Sequence, residues 1–251
     1  MCLDAGERSP VSLPSHLKRI VVIPAGGQSN CSNTAGGNYE PQHPHLYNLN
    51  VGDGLIYGAE EPLLGCDVAK PDASSNFLTR LGDAILLADL ADAVVLVPWA
   101  ISGVPAWLWS DGRFRRNVTT MAMRVRASGL LPRAKCICIW QHGETDNYIG
   151  TPAAAYTRQV VSIADTIQTI LGPVPFVAAQ ATLYQGLISP TIRMAQAAVA
   201  NSAKCRYVGP DTDMIDVSGR HHTDCTHWNV EGAHDVAQLW LEALEPQLRC
   251  A

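Results

Sequence analysis

The stretch VVIPAGGQSN, residues 21–30, joins an apolar run to two glycines and then to the polar residues Gln28, Ser29 and Asn30. A continuous apolar run of this length is typical of a strand buried on both faces of a sheet. A chain that leaves such a strand through two glycines can turn sharply and present the next side chains at the carboxyl end of the strand. The pattern therefore predicts a buried strand followed by a serine that a substrate can reach.

Similar apolar runs recur along the chain and alternate with segments of helical periodicity. Strands are predicted at residues 19–25, 92–100, 136–140, 175–180 and 205–210, and helices at 76–90, 114–128, 152–171, 189–202 and 230–248. This alternation predicts an α/β fold in which a parallel sheet lies between two layers of helices, a three-layer α/β/α arrangement. No repeat, low-complexity tract or linker interrupts it, so we predict one domain over residues 1–251. The segment 31–73 is long, aperiodic and rich in Gly, Pro and Asn, which is typical of a functional loop.

The composition narrows the choice of partners. The 251 residues are 47% hydrophobic and 16% charged, and the formal net charge of −5 argues against nucleic acid or an anionic membrane as partner. No apolar run approaches the ~20 residues of a membrane span, and the N-terminus lacks an apolar stretch of signal-peptide length. Eight sparse cysteines favour reduced thiols and a cytosolic setting, with a Cys31–Cys225 bond as an alternative.

Four polar segments have the composition of a catalytic site. They are residues 27–30 (GQSN), 102–103 (SG), 140–146 (WQHGETD) and 223–232 (TDCTHWNVEG). The first three follow predicted strands, and the carboxyl ends of parallel strands meet at one edge of a sheet. Ser29 needs a base and an orienting group to act as a nucleophile, and His227 with Asp224 three residues before it can supply both. The backbone N–H groups of Ser29 and Gly103, together with a side chain from WQHGE, are candidate donors to an oxyanion.

The sequence resembles the SGNH (GDSL-like) hydrolases in four blocks, AGGQSN (25–30), AISGVPAW (100–107), WQHGETD (140–146) and DCTH (224–227). Within them it is similar to the branch of sialate O-acetylesterases and acetyl xylan esterases, carbohydrate esterase family six. The resemblance implies a flavodoxin-like sheet of about five parallel strands and an esterase without a metal or other cofactor that removes acetyl groups from sugars. It also implies Ser29 as the nucleophile, Gly103 as an oxyanion donor, and Asp224 and His227 as the other members of a catalytic triad.

The chain departs from the branch at two of the blocks. The branch usually has Trp-x-Gln-Gly-Glu, with the glutamine as third oxyanion donor, but here His142 stands in that place and Gln141 precedes it. Both residues stay candidates. Ser102-Gly103 replaces a sequence that often has two glycines and a threonine, a mild change because the backbone amide is the donor.

Other residues are predicted to support the site or to bind the sugar. Gln28, Asn30 and Glu144 are expected to orient the surrounding loops without contacting the reacting atoms. Trp107 and Trp109 follow the oxyanion glycine, so either ring is a candidate platform for a sugar.

Several alternatives compete with this interpretation. One is a metal site built from the ligand candidates His221, His222, Asp224, Cys225 and His227. A second is an acid/base pair of Glu144 and Asp146, as in glycosidases. A third is a carbohydrate-binding domain that has lost catalysis, and a fourth is a lipase-like or thioesterase-type hydrolase of longer acyl chains. The predicted function is a serine esterase whose substrate is a small-molecule or polysaccharide acetyl ester.

Overall fold

The strands form one mixed but predominantly parallel sheet in a computed structural model that describes residues 5–68, 74–221 and 223–249. Within these residues the sheet has eight strands: β1 (Ile20–Gly27), β2 (Leu46–Leu49), β3 (Ile56–Gly58), β4 (Ala93–Pro98), β5 (Ala134–Cys136), β6 (Cys138–Gln141), β7 (Phe176–Gln180) and β8 (Arg206–Asp211). The order across the sheet is β3-β2-β4-β1-β6-β7-β8, and β5 pairs with the first part of β1. The pair β2–β3 is antiparallel and the other pairs are parallel.

Helices cover both faces of this sheet. They are α1 (Phe77–Leu87), α2 (Ala106–Ser110), α3 (Arg115–Ala127), α4 (Glu144–Ile149), α5 (Ala153–Leu171), α6 (Pro190–Ala197) and α7 (Val230–Arg249). The apolar faces of α1 and α7 pack on one side, where Val21 and Ile23 of β1 point. Helices α2, α3, α5 and α6 pack on the other side against Ile20 and Val22. Because successive strand residues point to opposite faces, the continuous apolar runs supply both cores. The three-layer α/β fold is confirmed.

The five predicted strands are present, and the sheet extends beyond them. Strands β2 and β3 lie inside the segment 31–73, which the sequence indicated only as a loop. Side-chain hydrogen bonds order this segment, and such bonds produce no periodic pattern of apolar residues in the sequence. Asn48 of β2 accepts from the Leu64 amide at 2.7 Å and Asp83 of α1 accepts from the Tyr39 hydroxyl at 2.9 Å. Residues 69–73 lie outside the described part of the chain.

Two predictions about the chain's setting can be compared with the structure. In the described ranges, no helix combines the length and the apolar character needed to cross a membrane. Cys31 and Cys225 are not bonded to each other, so the alternative of a disulfide between them is wrong.

Candidate active site

Ser29 lies where β1 leaves the sheet, as predicted. Gly27 ends the strand with a φ of +142°, and a Cβ there would lie 1.9 Å from the carbonyl oxygen of Gln141. A side chain at this position would therefore push β1 and β6 apart. Ser29 begins a short 3-10 turn, Ser29–Cys31, and its carbonyl accepts from the Thr34 hydroxyl at 2.5 Å. The exposed fraction of Ser29 is only 5%, so its surroundings are largely protein.

Asp224 and His227 lie in one turn and are hydrogen-bonded to each other. The Nδ1 atom of His227 lies 2.9 Å from Oδ2 of Asp224. The other carboxylate oxygen accepts from the backbone N–H groups of Thr226 and His227, at 2.9 and 3.0 Å. Because an ionised carboxylate can only accept, the ring proton of neutral His227 belongs on Nδ1, which leaves Nε2 as the atom that can take a proton.

Asn30 joins the turn of Ser29 to the turn of His227, although about 200 residues of chain separate them. Its side-chain amide donates to the carbonyl of Thr226 at 3.1 Å. Its own carbonyl accepts from the indole of Trp228, also at 3.1 Å. The residue after Ser29 is thus bonded to both chain neighbours of His227, and the first and last of the four polar segments are brought together.

Two buried ionisable side chains support this junction. Glu144 accepts from the Asn30 amide at 2.7 Å, and burial raises the pKa of Glu144 to about 7. The Arg220 guanidinium donates to the Thr226 carbonyl and lies 4.1 Å from the centre of the Trp228 ring. Burial lowers the pKa of Arg220 to about 10, so it stays a cation at neutral pH. The supporting role predicted for Asn30 and Glu144 fits these contacts, whereas Arg220 has no signature in the sequence.

The loop after β4 presents Gly103, whose neighbours are held from two sides. The backbone N–H of Ser102 donates to Oδ2 of Asp67 at 3.1 Å, and Oδ1 of Asp67 accepts from the Ser32 hydroxyl at 2.7 Å. On the other side, the N–H of Ala106 donates to Asp146 at 3.0 Å. Gly103 itself has a φ of +69°, and its N–H has no hydrogen-bond partner within the described ranges. Sequence reasoning missed Asp67, because a lone aspartate in an aperiodic loop carries no signal.

The third oxyanion donor is not found where the sequence placed it. Neutral His142 has one ring proton, and its Nε2 atom already lies 2.9 Å from the Val104 carbonyl, which can only accept. Burial lowers the pKa of His142, so a second ring proton is disfavoured. The Gln141 amide donates to Thr212 and accepts from Trp240, on the face of the sheet that α7 covers. Both side chains are fully buried and engaged, so neither is available as a donor in this structure.

Gln28 and the two candidate tryptophans occupy different environments. The Gln28 side chain accepts from the Thr145 N–H at 3.1 Å, which links the turn of Ser29 to the start of α4. Trp109 is fully buried in a cluster with Trp99 and Trp140, so the prediction that its ring can stack on a sugar is wrong. Trp107 is 49% exposed and stays a candidate platform.

The structure also bears on two alternatives. Glu144 and Asp146 are buried and bonded to protein groups, whereas a glycosidase needs both carboxyl groups at the sugar. Within residues 5–68, 74–221 and 223–249, no group of three or more His, Cys, Asp or Glu side chains is placed to hold a metal ion. His222, a ligand in that alternative, lies outside these ranges.

Comparison with known proteins identifies the family and supports the fold. A sequence model of the family described as carbohydrate esterase, sialic acid-specific acetylesterase, matches residues 21–245. No curated protein matches the chain by sequence. A crystal structure of an Arabidopsis thaliana protein superposes with a TM-score of 0.71 at 18% identity, covering 92% of this chain and 99% of that chain.

Two solved carbohydrate esterases share the fold at lower similarity. A carbohydrate acetylesterase of Xanthomonas citri has a TM-score of 0.57 and 17% identity, covering 90% of this chain and 55% of its own. A family 3 carbohydrate esterase of Clostridium thermocellum has a TM-score of 0.56 and 15% identity, covering 92% of this chain and 98% of its own.

The fold and the family match together define the class of protein, an SGNH-type hydrolase. Because the family match covers most of the chain, the chain belongs to the sialic acid-specific acetylesterase family of carbohydrate esterases. It is a carboxylic ester hydrolase that acts on carbohydrate acetyl esters.

Proposed function

We propose that Ser29, His227 and Asp224 form the catalytic triad of this esterase. The observation that carries the proposal is the 2.9 Å contact between His227 Nδ1 and Asp224 Oδ2. The turn that contains this pair is hydrogen-bonded to Asn30, the residue directly after Ser29. Asp224 fixes the ring tautomer and stabilises the imidazolium that forms when His227 takes a proton. A domain that only binds carbohydrate has no need of such a proton relay.

In the first half of the reaction, the Ser29 hydroxyl oxygen attacks the acetyl carbonyl carbon while its proton passes to Nε2 of His227. The negative oxygen of the tetrahedral intermediate is stabilised by the backbone N–H groups of Ser29 and Gly103. Each such donor is typically worth about 3–4 kcal/mol in the transition state. The bond from the acetyl carbon to the sugar oxygen then breaks, and His227 returns the proton to that oxygen. The sugar leaves, and the acetyl group stays on Ser29.

In the second half, water replaces the sugar hydroxyl. His227 Nε2 takes a proton from the water as its oxygen attacks the acetyl-serine. Collapse of the second tetrahedral intermediate breaks the bond to Ser29, and the proton returns to the serine oxygen. Acetate is released and the free enzyme is restored, so no step requires an external oxidant, reductant or metal ion.

The experiment that tests the proposal compares Ser29→Ala with wild type in acetate release from acetylated xylan and in hydrolysis of p-nitrophenyl acetate. We expect the rate to fall by about 10³-fold or more, because the nucleophile is removed. Ser128→Ala, at the end of α3, is the matched control and should retain the wild-type rate. Mass spectrometry of acid-quenched wild type should show an acetyl group on Ser29. A Ser29→Ala variant with wild-type turnover would contradict the proposed triad.

A second candidate is the hydrolysis of longer or more apolar esters. The turn beside Thr226 carries the exposed side chains of Leu187 and Ile188, and its Gln185 N–H donates to the Thr226 hydroxyl at 2.8 Å. An apolar acyl chain or leaving group would find a surface here. A series of p-nitrophenyl esters from acetate to octanoate separates the two: kcat/KM that falls with length supports the acetylesterase, and kcat/KM that rises supports the alternative.

A further inference from the structure

Basic residues are concentrated in one part of this acidic protein. Residues 112–143 contain no Asp or Glu, while the whole chain has a formal net charge of −5. The same stretch contains seven basic residues, Arg113, Arg115, Arg116, Arg124, Arg126, Arg133 and Lys135. Five of the seven lie on or next to α3, in a stretch of chain that has no acidic residue to neutralise them.

A groove lies along α5, and its opposite wall is formed by α2 and the start of α3. Two adjoining hollows, of about 530 and 470 Å³, share Arg115, Arg158 and Ser162 as lining residues. Along α5 the lining extends from Ala155 to Ile170, which corresponds to about 22 Å at the helical rise of 1.5 Å per residue. This length suits a chain of several sugar units better than a single sugar.

The two arginines of the groove are available for an anion. Arg158 is exposed and forms no ion pair within the described part of the chain. Arg115 has only a 3.8 Å contact with the exposed Asp111 and a 3.3 Å bond to the Ser110 carbonyl. Asp165, the other carboxylate of the groove, is paired with Arg206. A guanidinium presents two parallel N–H groups that match a carboxylate, so the pair favours a ligand with carboxylate groups.

The remaining lining suits sugar hydroxyls. Ser162 offers a hydroxyl, and the side-chain oxygen of Gln159 is buried without a hydrogen-bond partner within the described ranges. Trp107 lies at one end with its ring exposed, four residues after Gly103. The groove thus starts on α2, the helix that directly follows the loop of the proposed oxyanion donor.

We propose that this groove binds an acidic stretch of the polysaccharide whose acetyl group reaches Ser29. The inference rests on the proposed function for the acetyl ester, and on Arg115 and Arg158 for the acidic sugar. Uronic acid units combine regularly spaced carboxylates with hydroxyls and with a sugar face for Trp107. Nucleic acid and anionic lipid offer phosphates without this combination, and the overall negative charge of the chain disfavours both.

The test is binding to wild type, because binding requires no turnover. Isothermal titration calorimetry is run with a linear galacturonate hexamer free of acetyl groups, with neutral xylohexaose, with single-stranded oligothymidylate and with phosphatidylglycerol vesicles. The same titrations use Arg115→Gln/Arg158→Gln and a matched control, Arg126→Gln/Arg133→Gln, which removes the same charge from exposed positions outside the groove. Circular dichroism melts check that both variants fold.

We expect the galacturonate hexamer to bind wild type and control alike, and to bind the groove variant roughly tenfold or more weakly, since two charge-assisted contacts are lost. Xylohexaose should bind weakly to all three proteins. Absence of hexamer binding to wild type overturns the proposal, as does equal weakening in both variants or stronger binding of oligothymidylate or vesicles. If the hexamer binds but no acetyl ester is hydrolysed, the groove stands and the triad fails.

Discussion

The Asn30 side chain donates to Glu144 at 2.7 Å and to the Thr226 carbonyl at 3.1 Å, so one buried amide connects three segments that are distant in sequence. Glu144 opens α4, and Thr226 lies between the two residues of the proposed acid–base pair. The position of His227 relative to Ser29 therefore depends on a buried carboxyl group that does not itself contact the reacting atoms. Burial raises the pKa of that carboxyl group to about 7.

Glu144 should make stability depend on pH. Its pKa in the folded protein lies above the ordinary value of 4.5, so its contribution to stability is fully present below about pH 4.5 and is lost as pH rises through about 7. Glu144→Gln cannot ionise and keeps an oxygen for the Asn30 amide. We expect the free energy of unfolding of the variant to rise relative to wild type between pH 4.5 and 8, measured by urea denaturation. Parallel pH profiles for the two proteins would contradict this.

Asp224→Asn should abolish most activity while preserving the fold. The Asn oxygen can still accept from the N–H groups of Thr226 and His227, which keeps the turn. Its NH₂ group would then face Nδ1 of His227 and force the ring proton onto Nε2, where it prevents removal of the serine proton. We expect kcat for p-nitrophenyl acetate to fall by about 10³- to 10⁴-fold with little change in melting temperature.

Asp235→Asn is the matched control for this substitution, because Asp235 is exposed on α7. It should retain the wild-type kcat. If Asp224→Asn also retains it, His227 does not depend on Asp224 for its tautomer, and another acid has to be sought.

The sequence predicts those site residues that are marked by a short pattern of neighbouring residues. Ser29 follows an apolar run, and Asp224 and His227 are three residues apart, so short patterns identify them. The family resemblance and the three-layer fold follow from the order of such patterns along the chain. Arg220 donates to three backbone carbonyls, and Asp67 accepts from Ser32 and Ser102, but no short sequence pattern marks such contacts.

In the WQHGE block, too, the sequence does not reveal the hydrogen-bond partners of two adjacent residues. Neighbouring residues at the end of β6 point to opposite faces, so Gln141 reaches Trp240 of α7 while His142 reaches the loop after β4. The sequence shows that Gln141 and His142 are adjacent, but it does not show which hydrogen-bond partners engage each side chain. Trp109 likewise follows Gly103 closely, and only the packing of Trp99 and Trp140 around it shows that it belongs to the core.

Asp67 should act as a positioning residue for the loop that carries Gly103. Asp67→Ala removes the acceptor of the Ser102 N–H and hydroxyl, which are bonded to it at 3.1 and 3.2 Å. The loop then holds the Gly103 N–H less rigidly. We expect kcat to fall about tenfold with KM little changed, less than the loss of a whole oxyanion donor. Asp67→Asn keeps one acceptor oxygen and should recover part of kcat. A change in KM alone, or no recovery with Asn, would assign Asp67 another role.

Gly103 and Gly129 offer a matched pair for testing the oxyanion loop. Their φ values are +69° and +71°, and neither position has a heavy atom within 4 Å of where a Cβ would be. Alanine at either site should therefore cost similar stability, about 1–2 kcal/mol, through backbone strain alone. Only Gly103 is proposed to meet the substrate, so Gly103→Ala should lower kcat/KM for acetyl esters while Gly129→Ala leaves it unchanged. Thermal melts and initial rates measure both quantities, and equal activity in the two variants would remove Gly103 from the oxyanion hole.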